Sequence, residues 1–159
     1  MSLRPLSRTA LPALTSLIGS GGFIIGLWSF ISPASAATAF GGYMARVLEA
    51  TASSKADSGM IYIYPHGIRN LVQGLSVLAL TVYWQFSRRC QSSPVARVTV
   101  QRCLGIVITA NALTPMVDAW VNLRAVQNGE EGDLDRNAAR LHAMRFVFWA
   151  VGGLWCLLG

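Results

Sequence analysis

Tyr62, His66, Arg69 and Gln73 recur at i, i+4, i+7 and i+11, the spacing of one helical face. Asn111, Pro115, Asp118 and Asn122 repeat it, and His142 and Arg145 stand at i, i+3. Each set interrupts a long apolar run. A carboxylate such as Asp118 can activate water or accept a proton, while Arg69, His66 or Tyr64 can donate to a developing oxyanion. These residues are the candidate catalytic set, with Glu49 from the preceding loop as a second carboxylate. Tyr62, Gln73, Asn111, Asn122, His142, Arg145 and Trp149 are candidate substrate-binding residues. The competing reading is structural. Asp118 would then pair with Arg69 or Arg145 to pin helices, and the tyrosines would mark a membrane interface.

Other chemistries find little footing. Cys90, Cys103 and Cys156 are odd in number and share no ligand spacing, so they read as free thiols rather than a disulfide framework or zinc site. No H-x-x-H or H-x-x-x-H pair exists, and haem ligation by His66 and His142 is a weak reading. The "GSGG" at 19–22 lies inside an apolar run, not between strand and helix, so it is no phosphate cradle. There is no Ser-His-Asp elbow and no G-x-G-x-x-G. The expectation is chemistry without metal or cofactor.

The elements that must position these residues are membrane helices. The chain has 159 residues, 53% hydrophobic and 13% charged, against about 25% charged in a soluble domain. A span needs roughly 20 mostly apolar residues. Four stretches qualify, about 11–31, 61–86, 98–123 and 139–158, and no soluble domain remains. The predicted fold is therefore all-α: an integral membrane four-helix bundle forming one domain. A short interfacial helix is expected in the first loop, at Tyr43 to Ala52, with Met44, Val47 and Leu48 on one side. The net charge of +6 falls mostly at the ends of apolar runs, which argues against nucleic acid as partner.

Arg88, Arg89 and Arg97 crowd the second loop, with Arg102 just inside the next span and no acid, whereas "RAVQNGEEGDLDRNAAR" carries three arginines against four acids. Positive-inside places both chain ends and residues 87–97 in the cytoplasm. Arg4 and Arg8, an apolar run and "ASA" at 34–36 imitate a cleavable signal. The run is too long for that, and Gly19, Gly21, Gly22 and Gly26 suit close helix packing, so it is read as a span. The up-and-down order then brings all three polar stripes to one end of the bundle, on the non-cytoplasmic side. Ionisable residues there should face the interior or a wet cavity.

Four stretches, "GFIIGLWSFISPASAATAFGG", "YIYPHGIRNLVQGLSVLAL", "ITANALTPMVDAWVNLR" and "ARLHAMRFVFWAVGGL", resemble a bacterial and fungal family of small four-span membrane proteins of uncharacterised domain type. The marks are Pro33, Phe40-Gly41, Gly67-x-Arg69-Asn70, Gly74 and Asp118. Some fungal members are similar to the membrane epoxide hydrolases and cyclases of aurovertin- and citreoviridin-type polyketide pathways. The resemblance implies that an epoxide made by a flavin monooxygenase is opened here by water or an internal hydroxyl. Asp118 would be the base, Arg69 with Tyr64 or His66 would hold or protonate the epoxide oxygen, and Glu49 would be a second carboxylate. Soluble hydrolases with two carboxylates around an arginine are a parallel by analogy alone. This chain departs from that pattern in having one carboxylate deep in a span.

The expected function is thus a cofactor-free membrane enzyme of secondary metabolism that opens epoxides of a lipophilic polyketide or terpenoid. The alternatives are an isomerase or cyclase acting without an epoxide, and a non-enzymatic binding or scaffold protein. A transporter is weaker, because no internal repeat is present. The expected partners are the lipid bilayer, a lipophilic substrate, a flavin monooxygenase and further copies of the chain. The endoplasmic reticulum is the expected membrane, with the site toward its lumen.

Overall fold

The computed structural model describes residues 4–41, 60–127 and 133–159, with side chains from Ala10, Ile63 and Asp135 onward in the three stretches. Among the described residues six helices follow in order: α1 (Arg4–Ile31), α2 (Pro33–Phe40), α3 (Met60–Phe86), α4 (Arg88–Ser92), α5 (Pro94–Gln127) and α6 (Asp133–Leu158). No strand occurs among the described residues. The expected helix at Tyr43 to Ala52 lies outside them.

Among the described residues three helices are long and apolar enough to cross a membrane: Ala10–Ile31, Pro94–Gln127 and Asp135–Leu158. The chain is accordingly an integral membrane protein. Helix α3, of 27 residues, is not among the three, and carries His66, Arg69, Asn70 and Gln73 in its first half. Several boundaries differ from expectation: α1 starts at Arg4 rather than near 11, and α6 at Asp133 rather than near 139. Helix α5 starts at Pro94 rather than near 98 and runs on to Gln127. Residues 88–92 of the basic loop form the helical turn α4. Arg97 and Arg124 lie over the rings of Trp84 and Trp120, 5.6 and 5.0 Å from the centroids. These stacked cations at either end of α5 stand about 40 Å apart at 1.5 Å per residue, the depth of a bilayer with its headgroups.

Two helix pairs build the molecule. In the first, α1 and α3 run antiparallel, since positions rise on one as they fall on the other. A Cβ on Gly19 would meet Leu78, on Gly22 Gly74, on Gly26 Leu71, and on Gly67 Ser29. In the second, Gly105 of α5 faces Cys156 and Leu157 of α6, and Gly153 faces Thr109. Lipid supplies no hydrophobic drive between helices, so small residues that let backbones approach take over that role. Leu11, Ile18, Val77, Trp84, Leu104, Ile108, Trp149 and Cys156 fill the centre of one half. Outward the surface stays apolar, with Ile24, Ile31, Val72, Phe86, Leu113 and Val147 all exposed. That inverts a soluble bundle and suits a lipid solvent.

Helix α2 is the piece that reaches the polar end. Pro33 has no N–H to extend α1 and opens the new helix at its first position. Gly41 ends it with φ +132°, a conformation that side chains rarely adopt. A Cβ there would also collide with Asn122 Oδ1. Ala36, Ala37, Phe40 and Gly41 are all buried.

Candidate functional site

Helix α3 brings His66 and Arg69, one turn apart, against α5, which brings Asp118 and Asn122. One guanidinium nitrogen, Arg69 Nη2, donates both to Asp118 Oδ2 and to His66 Nδ1, each at 3.0 Å. A guanidinium only donates, so His66 Nδ1 must be the acceptor and its ring proton sits on Nε2. Arg69 thereby sets the tautomer of its neighbour.

The C-terminal end of α2 closes the group. Helix ends leave carbonyls without intrahelical partners. Here the Phe40 carbonyl accepts from Asn122 Nδ2 at 3.4 Å and from His142 Nε2 at 3.3 Å. The Phe40 ring lies between two imidazoles, 5.6 Å from His66 and 6.2 Å from His142. Asn122 also donates to the Asp118 carbonyl at 2.7 Å. With Nε2 committed to Phe40, a neutral His142 turns its Nδ1 lone pair toward Asp118 Oδ2, 3.9 Å away. That nitrogen is buried and has no hydrogen-bond partner. Two acceptors facing each other make a place where an added proton would be shared.

A cavity of about 300 Å³ opens beside this cluster, lined by Phe40, His66, Arg69, Val117, Asp118, Val121 and Asn122. Its mix of apolar walls and a few convergent polar groups is that of a small-molecule site. Four of the expected residues, Asp118, Arg69, His66 and Asn122, are in its wall. The others are placed as follows. Gln73 donates to Thr114 of α5 at 2.9 Å, one turn beyond Arg69. Arg145 donates to Asn70 Oδ1 at 3.2 Å. Tyr64 stacks on Phe30 with ring centroids 5.5 Å apart. Trp149 packs in the apolar core, and Asn111 is half-buried on α5 outside the cavity wall. Glu49 and the Tyr62 side chain lie outside the described residues. No group of three metal-ligating side chains occurs among the described residues.

Phe40 and Asn70 stood among the marks of the family resemblance but not among the candidate site residues. Asn70 is 2% exposed and bridges Arg145 to the His66 carbonyl, to which it donates at 2.8 Å. Its signal was adjacency to Arg69. Phe40 acts through its backbone carbonyl, which no residue type announces.

Residues 19–156 match the family described as a domain of unknown function, DUF4267. The chain belongs to this family. Its description assigns it no activity. The matched stretch contains every cavity-lining residue, from Phe40 to Asn122, and His142 and Arg145 as well. No curated protein and no solved structure matches the chain.

Proposed function

We propose that this protein is a cofactor-free membrane enzyme that opens epoxides of lipophilic polyketide- or terpenoid-type substrates. One observation carries the reading: a carboxylate, an arginine and a histidine of fixed tautomer converge on one apolar-walled cavity. Asp118 takes the proton of an attacking water or internal hydroxyl, whose oxygen bonds to an epoxide carbon as the ring C–O bond breaks. His66, whose Nδ1 already accepts from Arg69, offers Nε2–H as a hydrogen bond to the developing alkoxide. The proton that completes the alcohol is the one Asp118 has just taken, so the site returns to its starting state. In this reading α3 is a fourth span, both chain ends are cytoplasmic, and the cavity faces the lumen of the endoplasmic reticulum.

A structural reading has its own observation, the 3.0 Å Arg69–Asp118 ion pair between two helices. Asp118→Asn separates the two. Membranes carrying either protein are given epoxidised polyenes in oxygen-18 water, with expression and melting measured alongside. Under the enzyme reading, the wild type yields labelled diol or an unlabelled cyclic ether, and the variant loses turnover by about 10²–10⁴-fold while remaining folded. Under the structural reading neither protein turns substrate over, and the variant melts lower because the half-buried Arg69 loses its counter-charge.

A further inference from the structure

At the end of the bundle away from the cavity, Arg102 is exposed on α5. Among the described residues it has no hydrogen bond, ion pair or ring contact. It lies about 8 Å along α5 from Arg97, whose stack on Trp84 marks one edge of the bilayer. That depth is where headgroups give way to acyl chains. A cation there needs a counter-charge.

The chain's own acids cannot supply it, because all seven belong to the cavity end. Asp118 is about 24 Å further along α5. Glu130, Glu131, Asp133 and Asp135 fall where α5 passes to α6, and Asp57 lies just before α3. Glu49 is eight residues beyond Gly41, which abuts Asn122, itself about 30 Å from Arg102 along the helix. Eight extended residues span at most about 29 Å, and they would have to cross hydrocarbon with their backbone groups unpaired, which lipid does not allow.

The surroundings describe the missing anion. Arg102 forms one end of a groove of about 350 Å³ with Pro94, Val95, Val98 and Thr99. One turn deeper on the same face, Ile106 is exposed toward the hydrocarbon. Helix α4 packs on the start of α5 and adds Arg88 and Arg89, both exposed. A phosphate matches the guanidinium fork, and an acyl chain matches the apolar face below it. Clustered arginines beside a span draw lipids of net negative charge, whereas a choline headgroup would bring a further cation among them. We propose that this groove binds an anionic phospholipid of the adjacent leaflet, its phosphate on Arg102 and an acyl chain along Ile106.

The test is native mass spectrometry of the full chain, stripped of lipid in detergent and titrated with phosphatidylglycerol or phosphatidylcholine of the same acyl chains. Phosphatidylglycerol should bind about five- to tenfold more tightly. Arg102→Gln should bring the two lipids close to parity, with melting in phosphatidylcholine unchanged, because Arg102 holds no partner in the protein. Arg124→Gln removes the same charge at the far end, over Trp120, and should keep the preference. Equal affinity for both lipids in the wild type, which needs no variant, overturns the proposal. So does an equal fall in preference in the two variants, which would assign it to net charge rather than to the groove. Displacement of phosphatidylglycerol by glycerol phosphate at comparable concentration overturns it too, since the ligand would then be a soluble phosphate.

Discussion

The seam between α1 and α3 and the seam between α3 and α5 share one helix and are built in opposite ways. In the first, backbone meets backbone: a Cβ on Gly74 would collide with Phe23 N, and one on Gly22 would lie 3.1 Å from the Gly74 Cα. In the second, side chains span the space, Gln73 to Thr114 and Arg69 to Asp118, with a cavity beside them. The difference shows how a small membrane protein divides its labour. At the first seam small residues draw helices together and dispersion holds them. At the second the helices stay apart and polar groups bridge the gap.

The largest effect expected from this contrast is at Gly74. Gly74→Val places a branched side chain against the backbone of α1, which has no rotamer to give, and should lose on the order of 3 kcal/mol in a detergent melt or fail to accumulate. Gly21→Ala, in the "GSGG" run of the facing helix α1, is the control. A Cβ there meets nothing within 4 Å, so helix propensity should make it neutral or stabilising by about 1 kcal/mol. Equal losses at both positions would show that the close approach of α1 and α3 is not what holds the pair.

Next in size is Gly41→Ala. It forces a side chain into φ +132° and against Asn122, at about 1–3 kcal/mol. Gly41→Ala combined with Asn122→Ala removes the collision but keeps the backbone strain, so it should recover only part of the melting temperature. Full recovery would assign the whole effect to contact. Asn122→Ala alone should be milder, about 1 kcal/mol, because His142 still donates to the Phe40 carbonyl.

These contrasts also show what was legible beforehand. Apolar runs anticipated α1, α3, α5 and α6 as helices, each starting one to seven residues earlier than expected. Helical periodicity brought His66, Arg69, Asp118 and Asn122 to one end, and the cavity collects them. What periodicity could not show is backbone use. Phe40 enters the site through a carbonyl freed by a helix end, and that end exists because Pro33 and Gly41 bracket eight residues. Nor could it separate His142 from Arg145: both are on one face of α6, yet one meets the Phe40 carbonyl and the other meets Asn70. Partners of that kind depend on which helix sits opposite at which height.

The smallest expected effect is the most informative about the polar seam. Gln73 and Thr114 bridge the same two helices as Arg69 and Asp118, one turn away, but neither carries charge. A double-mutant cycle with Gln73→Leu and Thr114→Val, read by melting, should give a coupling of only about 0.6 kcal/mol. The value is small because both groups find other partners when the helices separate in the membrane. The equivalent cycle at Arg69 and Asp118, using Arg69→Gln and Asp118→Asn, should couple more strongly in stability, since either single change strands a charge. In turnover the contrast should be sharper still. Loss of the Gln73–Thr114 bridge should leave turnover within a few-fold of wild type, while either change at Arg69 or Asp118 abolishes it. If the neutral bridge proves as damaging to turnover as the charged one, the seam acts as a single spacer that sets the width of the cavity, and Asp118 is one of its struts rather than its base.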